Sequence, residues 1–259
     1  MACNSTVPVK YIRDEFVSKR GGQTLIATVV EETRQRRYLA PAEEQMAASE
    51  VERPDAGISG SLAENPRWFS PPAYGLTEFA DLFTSRQLVA LTTFSDLVAE
   101  AREQVLAHGG SAAYADAVAT FLACAVSRLV DYSNNLTTWN ETNENVRNLF
   151  QRQAVPMVWD FSEANVVDGD LTIAKTAEWV ASSLALVCAS SAGEITVRQL
   201  DARRALPSDV AVLVSTDPPY YDNIGYADLS DIFYVWLRSS LGDVYPDLFG
   251  TMVTPKVEE

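Results

Sequence analysis

DVAVLVSTDPPYYDN, Asp209 to Asn223, is the stretch whose reading decides the fold. Val210–Val214 form a continuous run of apolar or small residues that ends in a Pro-Pro turn. A short unbroken apolar run is what a strand buried on both faces of a parallel sheet looks like. The turn after it sits where open α/β sheets place their ligands, at the carboxyl end of a strand. Outward from this point, YADLSDIFYVWLRSSLG carries Leu229, Ile232, Phe233, Trp236, Leu237 and Leu241 at helical spacing, with Gly242 as its stop. On the other side, EITVRQLDA (Glu194–Ala202) alternates like a second strand. Helix, strand, strand, loop and helix describe one edge of an α/β sheet.

The loop reads Asp217-Pro218-Pro219-Tyr220. Asp before Pro after a strand is ordinarily a turn. Here the strict D-P-P-Y run follows an apolar strand, ends in an aromatic and precedes a new helix, and in that context it resembles the adenine-pocket motif of amino-methyltransferases. An exocyclic amine is a poor nucleophile because its lone pair is delocalised into the ring. The Asp217 carboxylate and the Pro218 carbonyl can each accept a hydrogen bond from adenine N6. That orients the lone pair and stabilises positive charge developing on nitrogen. Pro218 stiffens the turn through its fixed φ. Tyr220 offers a flat face for a base extruded from the duplex. Tyr221, Asp222, Asn223 and Tyr226 extend the loop as expected substrate contacts. Asp201, at the end of the preceding strand, resembles the acidic residue that contacts the cofactor's adenine in methyltransferases of this architecture, and is equally a helix N-cap. Arg238 reads as a solvated helix position with a phosphate contact as the alternative.

Composition narrows the chemistry. Hydrophobic residues make up 47% and charged residues 21%, the profile of a globular chain. The longest apolar run, around Ala117–Val130, is broken by Cys124, Ser127 and Arg128, and the first residues lack the apolar core of a signal peptide. A cytoplasmic location without membrane contact is expected. Cys3, Cys124 and Cys188 offer neither a disulfide framework nor a paired metal knuckle, and Cys124 and Cys188 read as buried thiols. His108, the one histidine, precedes two glycines like a helix C-terminal residue. No metal site is expected. Net charge is −15, with 35 acidic against 20 basic residues, so DNA phosphates would have to be met by a local basic cluster or a partner.

Four regions follow from the pattern. Residues 1–40 hold a short β segment, with Gln23–Thr33 and RRYLA as hairpin partners; 41–72 form an exposed connector whose end, at Trp68 and Phe69, docks on the rest. Residues 73–170 are helical: Phe79, Leu82, Phe83, Leu88, Leu91, Phe94, Leu97, Val98 and Val105 make a stripe over two helices. A further helix ends in the Asn-rich stretch after Tyr132, and Thr137–Asp170 is irregular. Residues 171–259 begin with a helix over about Ile173–Ala189, stopped by Gly193, and continue into the strand-loop-helix unit.

TDPPYYDNIGYADLSDIFYVWLRSSLGDVYPDLF…TPK resembles the large prokaryotic adenine-specific DNA methylases that begin with a domain of unknown function and often include a zinc-ribbon-like segment. Leu136–Asn165 and Tyr74–Leu91 resemble the region that precedes the motif in those proteins. The resemblance implies a partial Rossmann-like methyltransferase core after a mainly helical region and a short β segment. It implies S-adenosylmethionine as cofactor, DNA with a flipped adenine as partner, and N6 methylation, within a restriction-like or phage-defence system. Three departures stand out. The family's D-P-F-x-G-x-G loop has no counterpart, since the twelve glycines never form G-x-G. Cys3 stands alone where a zinc ribbon needs pairs. Asn165-Val166-Val167 replaces Asn-Pro-Phe, which separates Glu163 and Asn165 from any family role. The expectation is therefore a fragment or split half carrying the adenine pocket, with a second chain supplying the glycine-rich loop and little activity alone. Alternatives are an inactive interaction or regulatory module, or methylation of another base or of RNA.

Overall fold

The computed structural model describes residues 6–33, 35–190, 211–217 and 224–256. It is a mixed α/β chain, with six α-helices and two small antiparallel hairpins among the described residues. The helices are α1 (Val9–Val17), α2 (Glu43–Ser49), α3 (Ser85–Ala107), α4 (Ala112–Tyr132), α5 (Ile173–Ser190) and α6 (Tyr226–Leu241). The first hairpin pairs β1 (Thr28–Glu32) with β2 (Gln35–Leu39), in the register Thr28 to Leu39. The second pairs β3 (Thr138–Asn140) with β4 (Asn145–Arg147).

Local chemistry explains the helix boundaries. At the start of α3, the Thr84 hydroxyl accepts from the Gln87 N–H at 3.1 Å, while the Gln87 side-chain oxygen accepts from the Thr84 N–H at 2.9 Å. This reciprocal capping box satisfies two orphan donors and breaks the apolar stripe into a short 3-10 turn, Phe79–Leu82, and α3. The far end of α3 closes on His108, followed by Gly109 at φ 84°, a left-handed position that glycine occupies without a Cβ penalty.

Three helices build the core. Leu88 and Leu91 of α3, Leu129 and Val130 of α4, and Ile232 and Trp236 of α6 meet in one buried cluster. A second cluster gathers Val98, Ala119, Ala123, Val126, Tyr234 and Leu241. The i, i+4 series Ala115, Ala119 and Ala123 is buried, and such small side chains let helix axes approach closely. The 21-residue α4 is long and apolar enough by composition to cross a membrane, but it packs against α3, α5 and α6 and carries the buried Asp131 near its end.

Several expectations are met residue by residue. The hairpin partners pair, two helical pieces carry the 79–105 stripe, α4 stops before the Asn-rich stretch, and α6 presents Leu229, Ile232 and Trp236 inward. The stripe's exception is Leu97, which faces out.

Others are corrected. Among the described residues the sheets are two small hairpins, and the described part of the expected strand, Ala211–Val214, forms no ladder and is exposed, with Leu213 at 98%. An apolar run makes a strand only where neighbours accept its N–H and C=O groups and cover both faces. No parallel strand pair lies among the described residues. Glu194–Ala202, Gly193 and the side chain of Cys188 lie outside the described residues. Cys124 is exposed, not buried, because it falls on the outward face of α4 between the buried Ala123 and Ala125. The 41–72 connector contains α2 and sends Ile58 and Leu62 into the core, besides Phe69. Residues 9–17 form an unforeseen helix, whose Phe16 meets the Trp159 ring edge-on at 5.3 Å. Thr137–Asp170 is mostly irregular but holds the β3–β4 hairpin, tied to the first hairpin by a Trp139 Nε1–H bond to the Tyr38 hydroxyl at 3.1 Å.

Candidate functional site

The predicted site residues divide sharply. Asp217 ends the described segment 211–217 with an exposed side chain. Pro218, Pro219, Tyr220, Tyr221, Asp222, Asn223 and Asp201 lie outside the described residues. Tyr226 is the first residue of α6 and is 46% exposed.

The chain re-enters the fold at Ile224, which packs against the main core. Gly225 follows as the N-cap of α6, so close to the Trp68 ring that a Cβ there would come within 2.8 Å. The glycine is required by this approach. It ties the end of the motif loop to the segment that precedes the 3-10 turn Pro71–Tyr74.

A carboxylate network fixes α6 from its other side. Asp231, with only 3% of its side chain exposed, accepts hydrogen bonds from the Thr254 N–H at 2.8 Å, the Thr254 hydroxyl at 2.6 Å and Lys256 Nζ at 2.7 Å. Lys256 also pairs with Asp228 at 2.6 Å. Burial works against the Lys256 charge, but the hydrogen bonds to Asp228 and Asp231 outweigh it and hold its pKa above the ordinary lysine value. The Thr-Pro-Lys sequence is thus a strap across the first turns of α6. Arg238 takes part in the same closure, donating from Nε to the Phe249 carbonyl at 3.3 Å; it is neither a freely solvated side chain nor a free phosphate ligand.

Beside the amino end of α6 opens a cleft of ≈ 570 Å³. One wall is Tyr226, Leu229, Ser230 and Phe233; the other is the loop 150–153. Its volume falls within the roughly 300–1,000 Å³ of small-molecule sites. Phe150 and Phe233 place ring centroids 5.1 Å apart at 38°, and Gln151, Arg152 and Gln153 line the opposite lip. The loop is held at both ends. Asp131 accepts from Phe150 N at 3.1 Å and from Asn148 Nδ2 at 2.8 Å; Val155 donates to the Trp68 carbonyl at 2.6 Å and its own carbonyl accepts from Ser70 N at 3.1 Å. The Tyr226 and Phe233 rings, with polar side chains beside them on a clamped backbone, can stack a planar ring and hydrogen-bond its edge.

Sequence reasoning found Tyr226 but missed Phe150, Gln151, Arg152 and Gln153. They carry no periodicity, and only tertiary packing brings them to α6. A basic residue flanked by amides after an aromatic, in an acidic chain, is the signal that was there to be read. Glu163 proves structural: it receives a two-pronged pair from Arg86 at 2.8 and 2.9 Å, and that hydrogen bond, outweighing burial, raises the Arg86 pKa. Asn165 makes a local turn, its side-chain oxygen accepting from Val167 N and Asp168 N, both at 3.1 Å.

Ala211–Val214, where the edge of a cofactor-binding sheet was expected, is exposed and unpaired among the described residues. Among the described residues no group of His, Cys, Asp and Glu is arranged to hold a metal ion. No family model, curated protein or solved structure matches the chain.

Proposed function

We propose that this chain supplies the adenine-recognition part of an adenine-N6 DNA methyltransferase. The observation that carries this reading is the Asp217-Pro218-Pro219-Tyr220 motif leading directly into α6, whose first residue, Tyr226, faces an aromatic cleft. An extruded or single-stranded adenine stacks on aromatic faces, which every base tolerates. The Asp217 carboxylate and the Pro218 carbonyl accept the two N6 hydrogens, leaving the amine lone pair aimed away from the ring. Asp217 needs no burial before the base arrives, because the base itself displaces water from the carboxylate. The part assigned here to Asp217 and the cleft is binding and orienting the amine.

The test is transfer of labelled methyl from S-adenosylmethionine to DNA by the 259-residue chain, with Asp217→Ala beside it. Transfer by the chain alone is expected to be weak, to mark adenine N6, and to fall by roughly 10²–10³ in Asp217→Ala, the effect of removing one partner of a developing charge. Robust transfer that survives Asp217→Ala would sink the proposal. A mark on cytosine or on RNA alone would move the reading to another substrate. The exposed Val212–Val214 run favours a second reading, an interaction module without catalysis. That reading predicts no adenine-dependent binding at all.

A further inference from the structure

Every described lysine and arginine but one is engaged. Arg36, Arg53, Arg86 and Arg102 pair with acids, Arg147 and Arg238 with oxygen acceptors, and Arg13 lies over the Tyr74 ring. The Arg152 guanidinium alone, among the described cationic side chains, has no ion pair, hydrogen bond or ring contact. In a chain of net charge −15, a guanidinium without an acid partner is conspicuous. It also stands at a defined place, lining the cleft that Tyr226 and Phe233 line as well.

The backbone beneath Arg152 is fixed while its side chain is free. The Asp131 carboxylate anchors Phe150 and Asn148 on one side, and the fully buried Val155 anchors the other through Trp68 and Ser70. The Ala154 N–H bonds to the Arg152 carbonyl at 2.8 Å, tightening the loop between them. A fixed base with an uncommitted planar cation is the arrangement that receives a phosphate, since the guanidinium fork matches two phosphate oxygens. A base stacked on the aromatic face of the cleft, at Tyr226 and Phe233, would bring its sugar-phosphate towards the rim that Arg152 occupies.

We infer that Arg152 binds the backbone phosphate of the nucleotide whose base enters the cleft, making the 150–153 loop the DNA-positioning element of this site. The inference rests on the adenine-recognition reading for the identity of the base. Arg152 is a positioning residue, and its contribution is independent of base sequence. It also answers the charge problem: one uncommitted cation at the cleft can act locally although the surface as a whole repels DNA.

The experiment measures binding of a labelled single-stranded oligonucleotide with a central adenine, by fluorescence anisotropy, as potassium chloride is raised. Arg152→Gln is compared with Arg37→Gln, a cation paired with Glu32 on the β1–β2 hairpin. One lost phosphate contact should weaken binding roughly tenfold. It should also make the slope of log K against log salt shallower by about 0.7, the single-strand value per phosphate. Arg37→Gln should change neither. Equal effects of both substitutions, or unchanged affinity and slope in Arg152→Gln, would overturn the inference. A parallel series with the central adenine replaced by cytosine separates the two claims. If Asp217→Ala removes adenine preference while Arg152→Gln does nothing, the phosphate contact fails alone. If Arg152→Gln shifts the slope but Asp217→Ala leaves base preference intact, the phosphate contact stands and the adenine pocket fails. Absence of DNA binding by the unaltered chain overturns both.

Discussion

Residues 211–217 and residues 224–256 lie on either side of the Asp-Pro-Pro-Tyr motif and meet opposite fates. On the carboxyl side, α6 is locked by burial of Trp236, by the approach of Gly225 to Trp68, and by Thr254 and Lys256 on Asp231. On the amino side, Val212, Leu213 and Val214 are exposed and make no ladder. The two segments are similarly apolar, so hydrophobicity does not decide between them. A helix satisfies its backbone groups internally and needs a partner on one face, whereas an apolar strand needs hydrogen-bonding neighbours and cover on both faces. The motif therefore has one firm flank, and the recognition surface is built on that flank.

Three substitutions probe this contrast, the first with the largest effect. Asp231→Ala removes the acceptor of three hydrogen bonds and leaves Lys256 with Asp228 alone; urea unfolding should show a loss of about 3 kcal/mol. A loss below about 0.5 kcal/mol would mean that the Thr-Pro-Lys strap does not hold α6. Gly225→Ala forces a methyl against the Trp68 ring, and the expected cost is about 1–2 kcal/mol, because the ring must shift to admit it. If the melting temperature does not move, the motif loop is not anchored at Trp68. At the small end, Leu213→Ser should change stability by no more than about 0.5 kcal/mol, since a side chain 98% exposed has little burial to lose. A loss of about 2 kcal/mol there would show that the amino flank is buried after all, as the sequence pattern suggests.

The same contrast explains how much could be read from the sequence. The helices were legible because their period is local: Leu229, Ile232 and Trp236 recur on one face whatever surrounds them. The β1–β2 hairpin was legible because its partners are adjacent in sequence. The strand at Val210–Val214 was a prediction about neighbours the stretch itself does not specify. Within the site, Asp217 and Tyr226 were legible from a chemical motif. The loop 150–153 was not, since its place beside α6 comes from Asp131 and Val155, two contacts with no pattern in the chain. Cys124 failed for a related reason: apolar composition marks a helix, but only its packing partners decide which face is covered.

The central claim, that Asp217 and the α6 cleft receive adenine, is tested most directly by a fluorescent adenine analogue placed in a single-stranded oligonucleotide. Binding to the unaltered chain should change the emission of the analogue as it leaves its neighbouring bases and stacks in the cleft. That change should disappear in both Asp217→Ala and Tyr226→Ala, two exposed positions whose replacement leaves the melting temperature in place. Emission that is unaffected by binding, or that changes equally in all three proteins, would contradict the account.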